Sequence, residues 1–349
     1  MSLKKLIQWS RDEFSQLPWR QNRTMYGTLV SEIMLQQTTV GTVKNHYERF
    51  LQRFPDLKSL ASATEEELLV AWKGLGYYRR ARNLKKISEY IFEHHKGKFP
   101  ASVEELQKIA GIGPYTSHAL MAIGRDERSL AVDANLERVI ARLYGLKIEK
   151  GVKLQKHILQ LFQMNSIFKN FNESWRDLNE GLMDLGRTYC QARKATCDLC
   201  PLKKDCVAFS EKNPLGYPIE DQKKITKTMV EHELHLLRLM IFKKNKILVY
   251  KKDSSEWLAG QYEIPTLILS TTDAELKQYP AIKKKFKFDG LVNFKTGITK
   301  YKILNYVYLS NEKELKALGW NLKVEWKNVE DESSNLSTAT YKAIKKVIK

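Results

Sequence analysis

Hydrophobic residues recur at helical spacing through the first 210 residues of the chain. One stripe with spacings i, i+3, i+4 and i+7 comprises Leu136, Val139, Ile140 and Leu143. Thr64 and Ser102 each stand three residues before a glutamate, Glu67 and Glu105, which is the capping-box pattern of a helix start. The pattern therefore predicts an all-α domain over residues 1–210.

The pattern changes after residue 210, where the chain first becomes polar and then alternates. Residues 211–229 are charged and contain two prolines, which predicts a linker. Strands are expected over 232–242 and 247–250, and at the alternating sets Leu304, Tyr306, Tyr308 and Leu322, Val324, Trp326. A closing helix through Ala343 and Ile344 completes a predicted mixed α/β domain over 230–349.

Charge favours a polyanionic partner for this chain. The 349 residues include 59 Lys and Arg against 40 Asp and Glu, a net charge of +19. Nucleic acid is the partner class that such an excess favours most. The sequence contains no apolar run of the roughly 20 residues that a membrane span needs. Its first residues do not resemble a signal peptide, so we expect a reducing cytoplasm.

All four cysteines of the chain fall within 17 residues. Cys190, Cys197, Cys200 and Cys206 follow the pattern C-x6-C-x2-C-x5-C, which lets four thiolates surround one metal centre. Such clustering argues against a secreted disulfide framework. The spacing alone leaves structural zinc and an iron–sulfur cluster equally open.

A glycine turn and an aspartate give two further candidate sites. Gly111 and Gly113 form a tight turn before Pro114, which favours the first turn of a helix. Backbone amides of such a turn can bind phosphate without sequence preference. Twenty residues after Gly113, Asp133 precedes another helix, where an aspartate is also a common N-cap.

These features together resemble the helix-hairpin-helix glycosylases of the endonuclease III superfamily, and most closely the adenine glycosylase (MutY) family. The motifs that carry the resemblance are 17–20 (LPWR), 31–38 (SEIMLQQT), 74–78 (GLGYY), 111–114 (GIGP), 132–135 (VDAN), 179–186 (NEGLMDLG) and the four cysteines. The resemblance implies a six-helix module over about 28–132. It also implies a [4Fe-4S] cluster module from 1–27 and 133–210, with a groove for a flipped base between the modules.

The resemblance also implies the chemistry. Glu32 would be the acid that protonates a ring nitrogen of adenine, and Asp133 the carboxylate that stabilises the cationic sugar. Asn135 would hold Asp133. Tyr115 stands where the bifunctional relatives have a Schiff-base lysine, so the expected enzyme is a monofunctional glycosylase in which Tyr115 orients Glu32.

Further roles in binding follow from the same resemblance. Glu180 would contact the edge of the flipped adenine and Arg20 would line its pocket, whereas Gln37 and Tyr77 would wedge into the duplex. The expected partner is double-stranded DNA carrying adenine opposite 8-oxoguanine or guanine. We expect a monomeric, nucleoid-associated bacterial protein.

The segment 257–265 (WLAGQYEIP) resembles the start of the Nudix-like domain of the same family. The chain lacks a Nudix hydrolase box, which argues against diphosphate hydrolysis. In the family this domain reads 8-oxoguanine with a Phe-Ser-His type hairpin, and the best match here is Ile298, Thr299 and Lys300. Thr299 keeps the hydroxyl, but Lys300 is not histidine and Ile298 is not aromatic, so the lesion preference is weaker or read by other residues.

Three alternatives stay open at this point. The chain could be a bifunctional lyase for oxidised pyrimidines; separately, Lys108 and Lys73 are possible amines for a weak adventitious lyase activity. It could be a non-catalytic, cluster-bearing DNA-binding protein. It could also be a zinc protein. Tyr115 in place of lysine speaks against the first of these.

Overall fold

A computed structural model describes residues 2–21, 23–220, 231–282, 292–298, 300–331 and 334–348 of the chain. The chain divides into two compact units. The helical unit comprises Met1–Ser62 and Arg82–Lys227, and the sheet unit comprises Ala63–Ala81 and Thr228–Lys349. The sheet unit therefore takes in a segment from the middle of the helical sequence, which the hydrophobic pattern did not indicate.

Helices make up the first 210 residues, in agreement with the periodicity. In chain order they are α1 (Leu3–Phe14), α2 (Pro18–Gln21), α3 (Met25–Leu35), α4 (Val40–Arg53), α5 (Leu57–Ala61), α6 (Glu65–Ala71), α7 (Arg79–His95), α8 (Val103–Gln107), α9 (Pro114–Ala119), α10 (Ala134–Tyr144), α11 (Val152–Gln163), α12 (Trp175–Thr188) and α13 (Val207–Ser210). A π-helical turn, Leu120–Gly124, continues α9. Short 3-10 segments are Cys197–Leu199, Lys203–Asp205 and Pro214–Gly216.

The predicted helix starts are present, with one difference in capping. Thr64 and Glu67 form the reciprocal capping box that their spacing predicts. Ser102 accepts a hydrogen bond from the Glu105 amide, but the Glu105 carboxylate turns to the amide of Ala101 instead of that of Ser102. The second box is therefore a single cap, because the glutamate finds an equivalent free amide one residue earlier.

A continuous apolar core joins α1, α10, α11 and α12 of the helical unit. Leu6, Leu136, Ile140 and Leu182 are among its fully buried members. Tyr217, which is 1% exposed, lies in the stretch expected to be linker. Its backbone carbonyl accepts a hydrogen bond from Arg142, and Ile219 bridges to Glu149. Residues up to 220 thus pack with the helical unit, because one buried aromatic anchors an otherwise polar stretch.

The sheet unit contains eight strands and two further helices within its described residues. They are β1 (His232–Met240), β2 (Phe242–Lys243), β3 (Lys246–Lys251), β4 (Tyr262–Glu263), β5 (Thr266–Thr271), β6 (Val292–Ile298), β7 (Tyr301–Leu309), α14 (Glu312–Ala317), β8 (Glu325–Asn328) and α15 (Thr338–Val347). One sheet has the order β5-β1-β7-β6, and only its β1–β7 pair is parallel. The second has β3 between β2 and β4, with β8 also paired to β3. This confirms a C-terminal α/β domain.

Alternation predicted these strands better than it predicted their ends. Leu304, Tyr306 and Tyr308 lie on one half-buried face of β7, and the residues between them form the more buried face. Leu322 is exposed and lies outside β8, which begins at Glu325. The residues just before β8 continue the apolar alternation of the sequence, but they are not paired in a strand.

No helix within the described part of the chain is long and apolar enough to cross a membrane.

A buried ion cluster occupies the sheet unit. Glu263 is 1% exposed, and its two carboxylate oxygens accept hydrogen bonds from Arg238 and Lys252, each at 2.7 Å. Burial by itself would raise the pKa of Glu263, but Lys252 and Arg238 outweigh it and lower this pKa to about 2. Removing the carboxylate would leave two buried cations unpaired, which is far more costly than losing an exposed ion pair.

We predict that Glu263→Gln lowers the free energy of unfolding by about 3–5 kcal/mol at pH 7. Because the folded-state pKa is below the ordinary value, the wild-type advantage is complete above that ordinary value and is lost as the pH falls toward about 2. Urea unfolding followed by tryptophan fluorescence at several pH values measures both effects. The exposed Glu275→Gln is the matched control, and an equal loss in both variants would contradict the prediction.

Candidate active site

One cavity of about 580 Å³ in the helical unit collects most of the residues that the sequence singled out. Of the predicted site residues, those that line it are Arg20, Glu32, Gln37, Tyr115, Asp133, Asn135 and Glu180. They come from α2, α3, the loop after α3, α9, the start of α10 and α12. The fold thus brings together polar side chains that lie up to 160 positions apart in the sequence.

Glu32 lies in the middle of α3 and is only 6% exposed. Its neighbours Ile33 and Met34 are buried too, so the carboxyl has little access to water. Burial raises the pKa of Glu32 to about 7. The hydrogen bond from Tyr115 and the charge of Arg20 lower this pKa, whereas Asp133 and Glu180 raise it. A substantial fraction of Glu32 therefore carries a proton near neutral pH.

Tyr115 sits in the first turn of α9, directly after Pro114. Its hydroxyl donates a hydrogen bond to Glu32 Oε2 at 2.5 Å. Burial raises the pKa of Tyr115 well above its ordinary value, so the phenol keeps its proton and acts as a donor. The turn before α9 needs glycine at Gly111, where φ is +100° and a Cβ would lie 3.1 Å from Asn83 Nδ2.

Asp133 is the N-cap of α10, as the simplest reading of the sequence suggested. Its Oδ1 accepts hydrogen bonds from the amides of Asn135 and Leu136 at 2.9 and 2.7 Å. Its Oδ2 accepts a third from Asn135 Nδ2 at 2.8 Å. All three bonds use the carboxyl as an acceptor. Asp133 also lines the cavity. Its role as a helix N-cap is therefore compatible with a role in the chemistry of the site.

A chain of hydrogen bonds continues from Asn135 to the cysteine loop. Arg138 donates to Asn135 Oδ1 at 2.9 Å and to the carbonyl of Cys190 at 2.8 Å. Gly186 allows α12 to pass close by, since a Cβ there would lie 2.7 Å from the Cβ of Asn135. The orientation of Asp133 is thus fixed by the packing of α10 against α12.

A buried set of ion pairs forms another wall of the cavity. Arg20 Nη1 donates to Asp184 Oδ2 at 2.9 Å, and its Nε lies 3.2 Å from Glu180 Oε2. Arg23 donates to both Glu180 oxygens, from Nε at 3.2 Å and from Nη2 at 2.8 Å. Glu180 is held by the two arginines, and one of its faces is turned to the cavity.

Sequence reasoning missed Arg23, Asp184 and Arg187. Asp184 and Arg187 line the cavity, and Arg187 Nε donates to Asp184 Oδ1 at 3.0 Å. One signal was present in the sequence: Asp184 follows Glu180 by four residues, so both carboxylates share a face of α12. Arg23 follows Arg20 by three residues, but it lies beyond the end of α2. Helical periodicity therefore gave no indication of its position.

Several predicted residues lie outside this cavity. Gly111 and Gly113 form the turn before α9, and Gly113 is its N-cap. Tyr77 belongs to the sheet unit and is 57% exposed. Gln37, by contrast, lines the cavity; both Gln37 and Tyr77 have left-handed backbone, with φ of 54° and 45°.

The predicted lesion-reading hairpin belongs to the sheet unit. Ile298 pairs with Tyr301, and Lys300 Nζ lies 3.2 Å from Asp273 Oδ2. Thr299 lies outside the described residues. The two lysines considered as adventitious amines do not line the cavity: Lys108 is exposed after α8, and the Lys73 ammonium lies 3.5 Å from the centroid of the Tyr341 ring.

The four cysteines line a second, small cavity in the helical unit, together with Arg142. Arg142 donates to Cys190 Sγ at 3.3 Å, and Cys206 Sγ donates to the Arg142 carbonyl at 3.3 Å. Burial raises the pKa of the Cys200 thiol to about 12. Within the described residues, no group of three or more His, Cys, Asp or Glu side chains is already arranged around one metal position. The donor set nevertheless fits a thiolate-bound centre, because four thiols and no carboxylate face this cavity.

The cavity that Glu32 and Asp133 line brings together two carboxyl groups held in different ways. Burial raises the pKa of Glu32 to about 7, so a substantial fraction of it carries a proton at neutral pH, whereas Asp133 accepts hydrogen bonds from three N–H groups. Two carboxyl groups in such different environments can act as acid and as electrostatic stabiliser of a cation. The arrangement suits cleavage of a bond that leaves a basic group on one side and a carbocation on the other.

Comparisons with known proteins find similarity to DNA repair proteins. A model of the HhH-GPD superfamily base excision DNA repair proteins matches residues 30–164. An adenine DNA glycosylase of Buchnera aphidicola subsp. Schizaphis graminum is 36% identical over 212 residues, which cover 60% of this chain and 59% of that protein. One from Arabidopsis thaliana is 30% identical over 322 residues, which cover 81% of this chain and 50% of that protein. The chain thus spans less than two thirds of the length of these relatives.

Among solved structures, that of a thermostable thymine-DNA glycosylase is similar to the chain with a TM-score of 0.52 and 26% sequence identity. The match covers 60% of this chain and 95% of that one. It supports the helix-hairpin-helix fold of the helical unit.

We predict that the Glu32 carboxyl titrates near pH 7 and that Tyr115→Phe raises its pKa further. The phenol donates a hydrogen bond that favours the ionised form, so its removal favours the proton. NMR titration of ¹³C-carboxyl-labelled glutamate, assigned through Glu32→Gln, measures this. Tyr26→Phe, a buried tyrosine outside the cavity, is the control. A Glu32 pKa that stays the same or falls in Tyr115→Phe would contradict the geometry.

Proposed function

We propose, from the similarity of the chain to HhH-GPD base excision repair proteins and to curated adenine DNA glycosylases, that it is a monofunctional DNA glycosylase of the adenine glycosylase (MutY) family. It hydrolyses the N-glycosidic bond of adenine mispaired with 8-oxoguanine or guanine in double-stranded DNA. The observation that carries this proposal is the shared cavity, in which the buried Glu32 has a pKa raised to about 7 and Asp133 accepts three hydrogen bonds.

The reaction requires stabilisation of both fragments of the broken bond, the leaving base and the sugar. Adenine is a poor leaving group as an anion, so Glu32 transfers its proton to a ring nitrogen of the base. The electron pair of the C1′–N9 bond then leaves with neutral adenine, and the sugar becomes an oxocarbenium ion. Asp133 stabilises this cation electrostatically. Water adds to C1′, its proton returns to Glu32, and the products are adenine and an abasic site.

Tyr115 makes the enzyme monofunctional in this account. A lyase needs an amine that forms an imine with the sugar, and a phenol cannot form one. Within the described residues, no lysine lines the cavity. Tyr115 is instead the donor that orients the Glu32 carboxyl, at 2.5 Å. These observations disfavour the bifunctional alternative.

The remaining cavity residues bind the flipped base and the duplex. Glu180 faces the cavity as an acceptor, which suits the exocyclic amine of adenine, and Arg20 supports it. Gln37 at the cavity rim and the exposed Tyr77 are the wedge residues of the proposal. Flipping a base costs a few kcal/mol, which side chains inserted into the stack offset. The amides of the Gly111–Gly113 turn bind a DNA phosphate without reading sequence.

We assign a [4Fe-4S] cluster to Cys190, Cys197, Cys200 and Cys206, which line one cavity. When bound, the cluster supplies structure by tying the loop of 190–206 together; it takes no part in the hydrolysis. The chain's own contribution is Arg142, which is 2% exposed and donates to Cys190 Sγ and to the carbonyl of Gln191. Such hydrogen bonds orient thiolate ligands and partly neutralise their charge.

The C-terminal unit is assigned to recognition of the base opposite adenine, as a Nudix-like domain. Lys300, at the end of the β6–β7 hairpin, takes the place of the family's histidine. A lysine only donates hydrogen bonds, so it addresses the carbonyl oxygens of 8-oxoguanine or guanine. Asp273 holds it at 3.2 Å, which limits its reach.

We predict that the wild-type protein releases adenine from a duplex with an adenine–8-oxoguanine pair, leaving an alkali-labile site. Glu32→Gln and Asp133→Asn should each lose at least about 100-fold in single-turnover rate, since each removes one of the two charge-handling groups. Asp133→Asn should keep most of its DNA affinity. Glu173→Gln, on the surface of the helical unit, is the control.

An absence of adenine release by the wild type, or rates in Glu32→Gln equal to the wild type, would exclude the proposed reaction. A collapse of DNA affinity in Asp133→Asn would instead identify Asp133 as a helix cap alone. Borohydride trapping of a covalent complex would revive the lyase alternative.

We predict that the protein purified without oxygen is brown, with broad absorbance near 400 nm and about four iron atoms per chain. Cys200→Ser should lower the iron content and the melting temperature together, because a ligand to the loop is lost. Thr196→Ser, in the same loop, should change neither. A colourless protein with one zinc per chain would show that the site is a zinc site.

A further inference from the structure

Arg23 binds Glu180 without lining the candidate active-site cavity. Both oxygens of Glu180 accept hydrogen bonds from it, from Nε at 3.2 Å and from Nη2 at 2.8 Å. Glu180 lines the active-site cavity, whereas Arg23 lines a different cavity, together with Arg11 and Asp177. The guanidinium of Arg23 therefore acts on the active-site cavity only through the carboxylate of Glu180.

Arg20 does not hold Glu180 in the same way. Its Nη1 donates to Asp184 at 2.9 Å, which commits one edge of the guanidinium to a different carboxylate. Its Nε lies 3.2 Å from Glu180 Oε2 but is not aligned for a hydrogen bond. The two aligned hydrogen bonds to Glu180 are those from Arg23, and a fork that contacts both oxygens fixes the plane of the carboxylate.

We propose that Arg23 is a positioning residue that holds Glu180 as a fixed hydrogen-bond acceptor and thereby sets the preference of the cavity for bases whose edge carries an amino group. This inference rests on the proposed function, because it takes Glu180 as the group that faces the edge of the flipped base. Neither the resemblance nor the sequence pattern assigned a role to Arg23.

The hydrogen-bonding group that the base must present follows from the fact that Glu180 is an acceptor. A carboxylate paired with an arginine offers only lone pairs, so it accepts a hydrogen bond from the exocyclic amine of adenine. Hypoxanthine has a carbonyl oxygen at the same position, and its lone pairs would face those of Glu180. A site built around a buried polar group rejects the mismatched analogue strongly, because the group is then left without a partner. A carboxylate that is free to rotate or to take up a proton would discriminate much less.

Arg23 is less deeply buried than the other residues that anchor this ion-pair set, so it is the more suitable one to replace. Its side chain is 23% exposed, whereas those of Arg20 and Asp184 are 6% and 2% exposed. A matched control exists on the same helix, α12: Arg11 binds Asp177 at 2.5 Å, three residues before Glu180. Neither Arg11 nor Asp177 lines the active-site cavity. Arg11→Met thus removes one charge and one ion pair and leaves both hydrogen bonds from Arg23 to Glu180 in place.

The experiment compares adenine and hypoxanthine placed opposite guanine in otherwise identical duplexes. Single-turnover release of each base is measured for the wild type, Arg23→Met, Arg23→Lys and Arg11→Met. We expect Arg23→Met to lower the adenine-to-hypoxanthine rate ratio by about 10- to 100-fold. Arg23→Lys keeps the charge without the fork and should restore part of the ratio. Arg11→Met should keep the wild-type ratio.

A second measurement separates this inference from the proposed reaction. Duplexes with 2′-fluoro-2′-deoxyadenosine or 2′-fluoro-2′-deoxyinosine resist cleavage, since fluorine destabilises the cationic sugar, and their affinities report base preference without turnover. If the wild type releases no base but Arg23→Met still lowers the affinity ratio, the proposed function fails and the role of Arg23 stands. Ratios within about twofold of the wild type in Arg23→Met and Arg23→Lys would overturn the inference, as would an equal drop in Arg11→Met.

Discussion

The burial of one carboxyl group, Glu32, is the constraint on which the rest of the candidate site depends. Glu32 is 6% exposed on a helix whose neighbouring residues are buried, and this desolvation raises its pKa to about 7. The same environment would leave the group without a partner, were it not for the Tyr115 hydroxyl at 2.5 Å. Tyr115 thus satisfies a buried carboxyl and limits the rise of its pKa at the same time.

The second carboxylate, Asp133, is held in the opposite way. It begins α10, where the amides of Asn135 and Leu136 are unpaired within the helix and donate to it. The N-terminal end of a helix also favours negative charge. The two acidic side chains that line one cavity therefore differ in environment. Glu32 is buried within a helix, whereas Asp133 is the N-cap of one. Their difference is what acid catalysis combined with stabilisation of a cation requires.

The helical periodicity and the caps were readable from the sequence, because both depend on residues within one or two turns of each other. Thr64 and Asp133 are examples of such caps, and the alternation through Tyr306 in β7 is a local pattern of the same kind. The family resemblance brought Glu32 and Asp133 together, and the cavity that they share agrees with it. From the residues alone, Glu32 is indistinguishable from an exposed helical glutamate, since nothing local signals its burial.

Contacts between residues that lie far apart in the sequence could not be predicted from the local pattern. Arg23 and Glu180 are 157 positions apart, and an arginine beyond the end of a short helix gives no periodic signal. The inclusion of Ala63–Ala81 in the sheet unit is a property of tertiary contacts, not of local pattern. Tyr217 likewise looks like one aromatic residue in a polar stretch until its burial against the helical unit is known.

The pH dependence of adenine release tests the central claim most directly. The claim is that Glu32 acts as the proton donor, with a pKa near 7. With the duplex saturating, the single-turnover rate should be nearly constant on the acid side of about pH 7. On the alkaline side it should fall by about tenfold per pH unit, as Glu32 loses its proton. A rate that stays flat or rises through this range would contradict the account.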